Sequence, residues 1–118
     1  VLGGFSQGAM LACDVALHTA IPLDALFLLS SSMLSRDSWT PLLPRLAGRP
    51  ILLTHGVADD NIAMAAGERL RDALTDAGAQ VRWVTFDGGH QIPLLAWRQL
   101  RRFLHEREST AQAATPHK

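Results

Sequence analysis

Gly4-Phe5-Ser6-Gln7-Gly8 follows the short stretch Val1-Leu2-Gly3 and precedes Ala9-Met10-Leu11-Ala12-Cys13. Val1-Leu2-Gly3 reads as the last residues of a buried strand. From Gln7 to about His18, residues Ala9, Ala12, Cys13, Ala16 and Leu17 recur at i, i+3, i+4, i+7 and i+8, the spacing of one apolar helix face. Most of that face is small, so the helix can lie close against a sheet. The pentapeptide between them is a G-x-S-x-G turn leading from strand into helix. In so tight a turn the flanking glycines avoid clashes, and the serine hydroxyl is lifted above the sheet. The new helix points its N-terminus at that hydroxyl, offering free N–H groups and positive potential to a developing negative charge. Taken alone, the pentapeptide also fits a glycine-rich turn with an incidental serine.

Outward from this turn the chain alternates. Ala25 to Ser30 is a continuous apolar run, as in a strand covered on both faces. The segment from Ser35 to Leu46 contains Pro41 and Pro44 and is expected to be a loop with at most one helical turn. Pro50 to Thr54 is a second buried strand, ending at His55-Gly56. Ala63 to Ala77 is a helix with an expected core face of Ala66, Leu70, Ala73, Leu74 and Ala77, and Gly78 suits its C′ position. Val81 to Phe86 is a third strand, followed by Asp87-Gly88-Gly89-His90. Pro93 suits the first turn of a last helix reaching about Glu108. From Ser109 the chain is polar and small, and a disordered tail is expected over 109–118. Strand–helix alternation of this kind implies an α/β fold of parallel strands with right-handed crossovers.

A serine hydroxyl is a weak nucleophile. It needs a base, and the base needs an acid to orient it. His55-Gly56-Val57-Ala58-Asp59 follows the second strand, and Asp87-Gly88-Gly89-His90 follows the third. Both lie at strand C-terminal ends, where an open parallel sheet gathers its ligands. These two segments therefore hold the candidate acid and base for Ser6.

These residues carry a resemblance. G-F-S-Q-G-A-M, then H-G-x-x-D, then G-G-H resembles the phospholipase/carboxylesterase family of α/β-hydrolases, which includes the acyl-protein thioesterases. The likeness runs from Gly3 to about Leu104. It implies hydrolysis of carboxylic esters or thioesters through an acyl-enzyme, without a cofactor. It places nucleophile, acid and base on Ser6, Asp59 and His90, and one oxyanion donor on the Gln7 backbone N–H. The family usually has a proline just after the acid, where this chain has Asp60. Asp59 is favoured because it keeps the H-G-x-x-D spacing, with Asp60 as its competitor. The family also has several strands before the elbow, and a loop there carries the second oxyanion donor. The expectation is thus the C-terminal part of an α/β-hydrolase fold, with parallel strands and flanking helices over 1–108 and the N-terminal strands missing.

Other residues invite weaker readings. His55 is open to a role as second base or metal ligand, but a brace for the Asp59 loop is the favoured reading. His55, Asp59, Asp60 and His90 lack tight ligand spacing, so no metal is expected. Cys13 faces the sheet and reads as an inert buried thiol. Asp87 is expected to shape its turn. Met33, Leu34, Trp39, Leu42 and Leu43 form an apolar region that either lines an acyl pocket or covers the sheet.

The composition agrees with one globular domain. The 118 residues are 47% apolar, and 11 Lys and Arg balance 11 Asp and Glu, so no basic stripe points to nucleic acid. The single cysteine excludes an internal disulfide and fits a reducing, cytoplasmic setting. Ile21 to Leu29, the longest apolar run, is too short to span a bilayer. The expected partners are a small-molecule ester or thioester and, as one option for assembly, a second copy in a homodimer. Two other readings stay open. One is a non-catalytic fragment or binding module that keeps the triad residues by descent. The other is a dienelactone-hydrolase-like or peptidase-like enzyme, which Gln7 after the serine fits less well.

Overall fold

The computed structural model describes residues 1–19 and 23–114, with side chains through Glu108. The elements run β1 (Leu2–Phe5), α1 (Gln7–His18), β2 (Leu26–Leu29), α2 (Arg36–Trp39), a 3-10 segment (Thr40–Leu46), β3 (Pro50–Gly56), α3 (Met64–Asp76), β4 (Gln80–Phe86) and α4 (Leu94–Ala114). The strands form one sheet in the order β1-β2-β3-β4. Every pairing is parallel, with Leu2 beside Leu26, Leu26 beside Ile51 and Ile51 beside Val81. The α/β fold of parallel strands with flanking helices is therefore the one expected.

The apolar strands work because alternate residues point to opposite faces. On one face Leu26, Leu28, Ile51 and Leu53 meet Ala9, Cys13 and Leu17 of α1 and Leu70 and Leu74 of α3. On the other, Ala25, Leu29 and Leu52 meet Leu100 and Phe103 of α4. The small residues of α1 let its axis approach the sheet, and Ala9 and Cys13 are fully buried. Burial, and after it the nearby Asp14 carboxylate, pushes the Cys13 thiol up to about 12, which removes its nucleophilic form near neutrality.

The proline-containing stretch differs from its expectation as a loop. Ser35 caps α2 by accepting the Ser38 N–H at 3.3 Å, and the 3-10 segment continues directly from it. Proline cannot donate a helical hydrogen bond, but Pro41 stands in the first turn, where none is needed. Trp39, Leu43 and Leu46 are all buried, and this burial outweighs the bond lost at Pro44. The Trp39 indole N–H also donates to Asp14 Oδ1 at 2.8 Å, and Arg45 donates to the Leu17 carbonyl at 2.7 Å, fastening the segment to α1.

Two helix ends are also informative. In α3, Gly67 is buried beside Leu70 and Leu74, whereas Ala66 is only partly buried, so the core face is shifted from the expected one. Gly78 has φ +96°, as its C′ position requires. Helix α4 extends to Ala114, past the end expected near Glu108. Ala111, Ala113 and Ala114 favour that continuation. Residues 115–118 of the expected tail lie outside the described residues.

This packing separates core from surface along single elements. Leu28→Ala should cost about 2–5 kcal/mol, because its face of the sheet is sealed. Leu104→Ala, on the outer side of α4, should change stability by less than about 1 kcal/mol. Urea unfolding of both variants checks the contrast, and equal losses would show that the assigned core is wrong.

Candidate active site

All three polar side chains singled out by the motifs sit at the carboxyl edge of the sheet. Ser6 lies between β1 and α1 with φ 56° and ψ −120°. A non-glycine residue held at such angles stores roughly 1–3 kcal/mol of strain, so its surroundings must hold it there. The Ser6 N–H donates to the Leu29 carbonyl at 2.8 Å, and the Ser6 carbonyl accepts the Met10 N–H at 3.1 Å. A Cβ on Gly4 would lie 2.5 Å from the Gly8 carbonyl carbon, so the close return of α1 over β1 requires a glycine there. A Cβ on Gly8 would meet no described atom within 4 Å. Among the described residues, then, the steric demand of the turn falls on Gly4 rather than on both flanks.

The other two groups come from the loops after β3 and β4. His90 Nδ1–H donates to Asp59 Oδ2 at 2.7 Å, and Ser6 Oγ–H donates to His90 Nε2 at 2.8 Å. A carboxylate only accepts, which assigns the proton to Nδ1 and leaves Nε2 as acceptor. Backbone contacts hold the two loops together. Val57 N–H donates to the Phe86 carbonyl at 3.0 Å, and Ala58 N–H to the Gly88 carbonyl at 2.9 Å. A Cβ on Gly56 would fall 2.4 Å from the Gly89 oxygen, so the loops can close this far only over a glycine. The Phe5 ring supports the imidazole, with centroids 4.8 Å apart.

Asp59 is buried, and its Oδ1 accepts the N–H groups of Asn61 and Ile62, both at 2.8 Å. Burial pushes this carboxyl upward in pKa. The hydrogen bonds from Ile62, His90 and Asn61 more than offset it and hold the group below the usual carboxylate range. Asp60 is exposed; the bonds to His90, Asn61 and Ile62 all fall on Asp59. The backbone donors at Asn61 and Ile62 were not identified from sequence. Asp followed by Asn in a loop is a turn signal, but it serves Asp59 and Asp60 equally.

Gln7 begins α1, and no side chain caps that helix end. The first N–H groups of any helix lack intrahelical partners, and those of α1 follow Ser6 directly in the chain. An open cleft of about 780 Å³ is lined by Phe5, Ser6, Gln7, Met10, Leu11, Leu34, Asn61, Ile62 and His90. Of the apolar region left open above, only Leu34 lines this cleft. Trp39 and Leu43 belong to the core, with Met33 and Leu42 packed against it. His55 is buried under the Asp59 loop, and Asp87 is exposed. Among the described residues no cluster of three or more His, Cys, Asp or Glu is arranged to hold a metal ion. No described helix is long and apolar enough to cross a membrane.

A parallel α/β sheet whose carboxyl edge carries a serine elbow, a histidine loop and a carboxylate loop has the architecture of an α/β-hydrolase. The chain belongs to the phospholipase/carboxylesterase family, whose model matches residues 1–107. An acyl-protein thioesterase 1 of Neurospora crassa is 32% identical over 111 residues, which are 91% of this chain and 45% of that protein. One of Gibberella zeae is 32% identical over 94 residues, 76% of this chain and 40% of that protein. The chain thus spans less than half the length of these two relatives. Among solved structures, esterase PE8 superposes with a TM-score of 0.78 at 30% identity, over 88% of this chain and 48% of that one. SOBER1 of Arabidopsis thaliana gives 0.78 at 25% identity, over 89% and 51%.

The depressed Asp59 pKa has a consequence for stability. The folded state binds this proton less readily than the unfolded chain, whose carboxyl has an ordinary value of about 3.9. The resulting stabilisation is complete above that value and is lost as pH falls through the lower, folded value. Below about pH 4, wild type should therefore lose melting temperature more steeply than Asp59→Asn. Parallel curves in thermal melts across that range would contradict the assignment.

Proposed function

We propose that this chain supplies the catalytic residues of a serine hydrolase that cleaves carboxylic esters or thioesters through an acyl-enzyme. The observation that carries the reading is the unbroken hydrogen-bonded line from Ser6 Oγ through His90 to Asp59, at 2.8 and 2.7 Å. Ser6 Oγ attacks the substrate carbonyl carbon while His90 Nε2 takes its proton. Asp59 keeps the imidazole oriented and stabilises the imidazolium that forms. The Gln7 N–H and the α1 N-terminus receive the negative charge on the carbonyl oxygen. Collapse of the tetrahedral intermediate expels the alcohol or thiol, protonated by His90, and leaves the acyl group on Ser6. His90 then deprotonates a water that attacks the acyl-serine, and collapse of this second intermediate releases the acid as His90 returns the proton to Ser6 Oγ. No cofactor enters this scheme.

The apolar lining of the cleft by Phe5, Met10, Leu11, Leu34 and Ile62 supports an acyl group as the portion bound there. The names of the relatives support a thioester as well as an ester. Because the chain spans less than half of those relatives, the activity is proposed for the intact protein that carries it.

In that intact protein an organophosphate should modify Ser6, and Ser6→Ala should lower turnover by about 10⁴-fold or more. Peptide mapping and hydrolysis of a p-nitrophenyl ester read the two effects, and turnover that survives Ser6→Ala ends the reading. Asp59→Asn should lower kcat by roughly 10³ to 10⁴, whereas Asp60→Asn should cost less than about tenfold. The reverse order would move the acid to Asp60.

A further inference from the structure

His55 is 1% exposed, at the end of β3 beneath the loop that bears Asp59. Its Nε2 lies 2.7 Å from the Ile62 carbonyl oxygen. A carbonyl only accepts, so Nε2 carries the proton and Nδ1 is left as an acceptor. That Nδ1 is buried and has no partner. Buried unpartnered groups are unfavourable and are rarely kept without compensation. A second local cost lies opposite. A Cβ on Gly67 would stand 2.5 Å from Nδ1, so α3 carries a glycine in its interior, where helix propensity is poor, to seat the imidazole edge. The ring is stacked on Trp83, with centroids 6.3 Å apart, and the Arg71 guanidinium lies 5.0 Å from the centroid of a ring of the same indole. Leucine would fill this space without an orphan acceptor.

What leucine would not supply is the donor to Ile62. The same residue, Ile62, gives its N–H to Asp59 Oδ1 at 2.8 Å. Its carbonyl is thus held from below by His55 while its N–H, with that of Asn61, grips the acid. Asp59 is left with Oδ2 directed to His90 Nδ1 at 2.7 Å. His55 Nε2 is 3.8 Å from that Oδ2, too far to compete for it. Ile62 and Asn61 also form one wall of the cleft over Ser6.

We propose that His55 is a positioning residue, whose Nε2–H holds the Ile62 carbonyl and so fixes the segment that aims the Asp59 carboxylate at His90. The role rests on the Ser6–His90–Asp59 reading given above. It needs a neutral side chain with a donor at the reach of Nε2. Glutamine has such a donor, asparagine is too short, and leucine has none.

The test compares His55→Gln, His55→Asn and His55→Leu in the full-length protein, with Ser6→Ala as a parallel control. Each is assayed well below its own melting temperature. Displacing an acid by about 1 Å costs on the order of 10²-fold, so His55→Leu and His55→Asn should lose about that much in kcat with a smaller change in KM. His55→Gln should recover most of the loss. The far-downfield proton resonance of the His90 Nδ1–H···Asp59 bond gives a readout independent of turnover. It should persist in wild type and His55→Gln and be shifted or lost in His55→Asn. If His55→Leu does not fold, the Gln and Asn pair decides. Equal activity and equal spectra in that pair, or parent-like kcat in a folded His55→Leu, would overturn the proposal. An active Ser6→Ala would instead remove the reading on which it rests, while an inactive one confines the failure to His55.

Discussion

The site depends on holding Ser6 at a positive φ. The left-handed backbone at that residue turns the hydroxyl away from the sheet, and at the same point the chain changes from strand to helix. Neither neighbour alone could keep a non-glycine residue there. The parallel partner β2 receives the Ser6 N–H on Leu29, the first turn of α1 receives the Ser6 carbonyl, and Gly4 lets α1 return across β1 without a side chain between them. Strain at Ser6 is thus offset by bonds belonging to the sheet and the first helix, which are in turn held by the Ala9 and Cys13 packing.

A parallel sheet makes the rest of the arrangement economical. Every strand delivers its C-terminus to the same edge, so loops distant in sequence become neighbours there. The β3 and β4 loops are then joined by two backbone hydrogen bonds and by the close contact over Gly56. The Asp59 carboxylate is fully enclosed, whereas the His90 imidazole keeps some exposure. That division suits their parts in the proposed chemistry. An acid that only orients is better buried and hydrogen-bonded, and a base that exchanges protons with substrate must reach the cleft. The proposed part of His55 extends the same arrangement one layer below the acid.

Much of this was legible in the residues. Apolar runs of strand length, the small-residue face of α1 and the turn glycines marked the elements, because local periodicity and steric demand act within a few residues. The order Ser6, Asp59, His90 was legible because each group had to follow a strand end. The preference for Asp59 over Asp60 came from the resemblance, whose H-G-x-x-D spacing Asp59 keeps. Less legible were α2 and the 3-10 segment. Their prolines read as breakers, while the compensating term was burial of Trp39, Leu43 and Leu46 against distant elements.

The sequence by itself determined an α/β order of elements, a serine on a strand-to-helix turn, and the loops bearing its two polar companions. These follow from periodicities and turn chemistry encoded over short spans. Only the tertiary structure decided that Gly4 carries the steric demand of the turn, that Asn61 and Ile62 grip Asp59, that Leu34 alone of its apolar stretch faces the cleft, and that His55 meets Gly67 and Ile62. Each of these is a contact between elements whose mutual approach is set by packing of the whole sheet, and no local pattern fixes a distance of that kind.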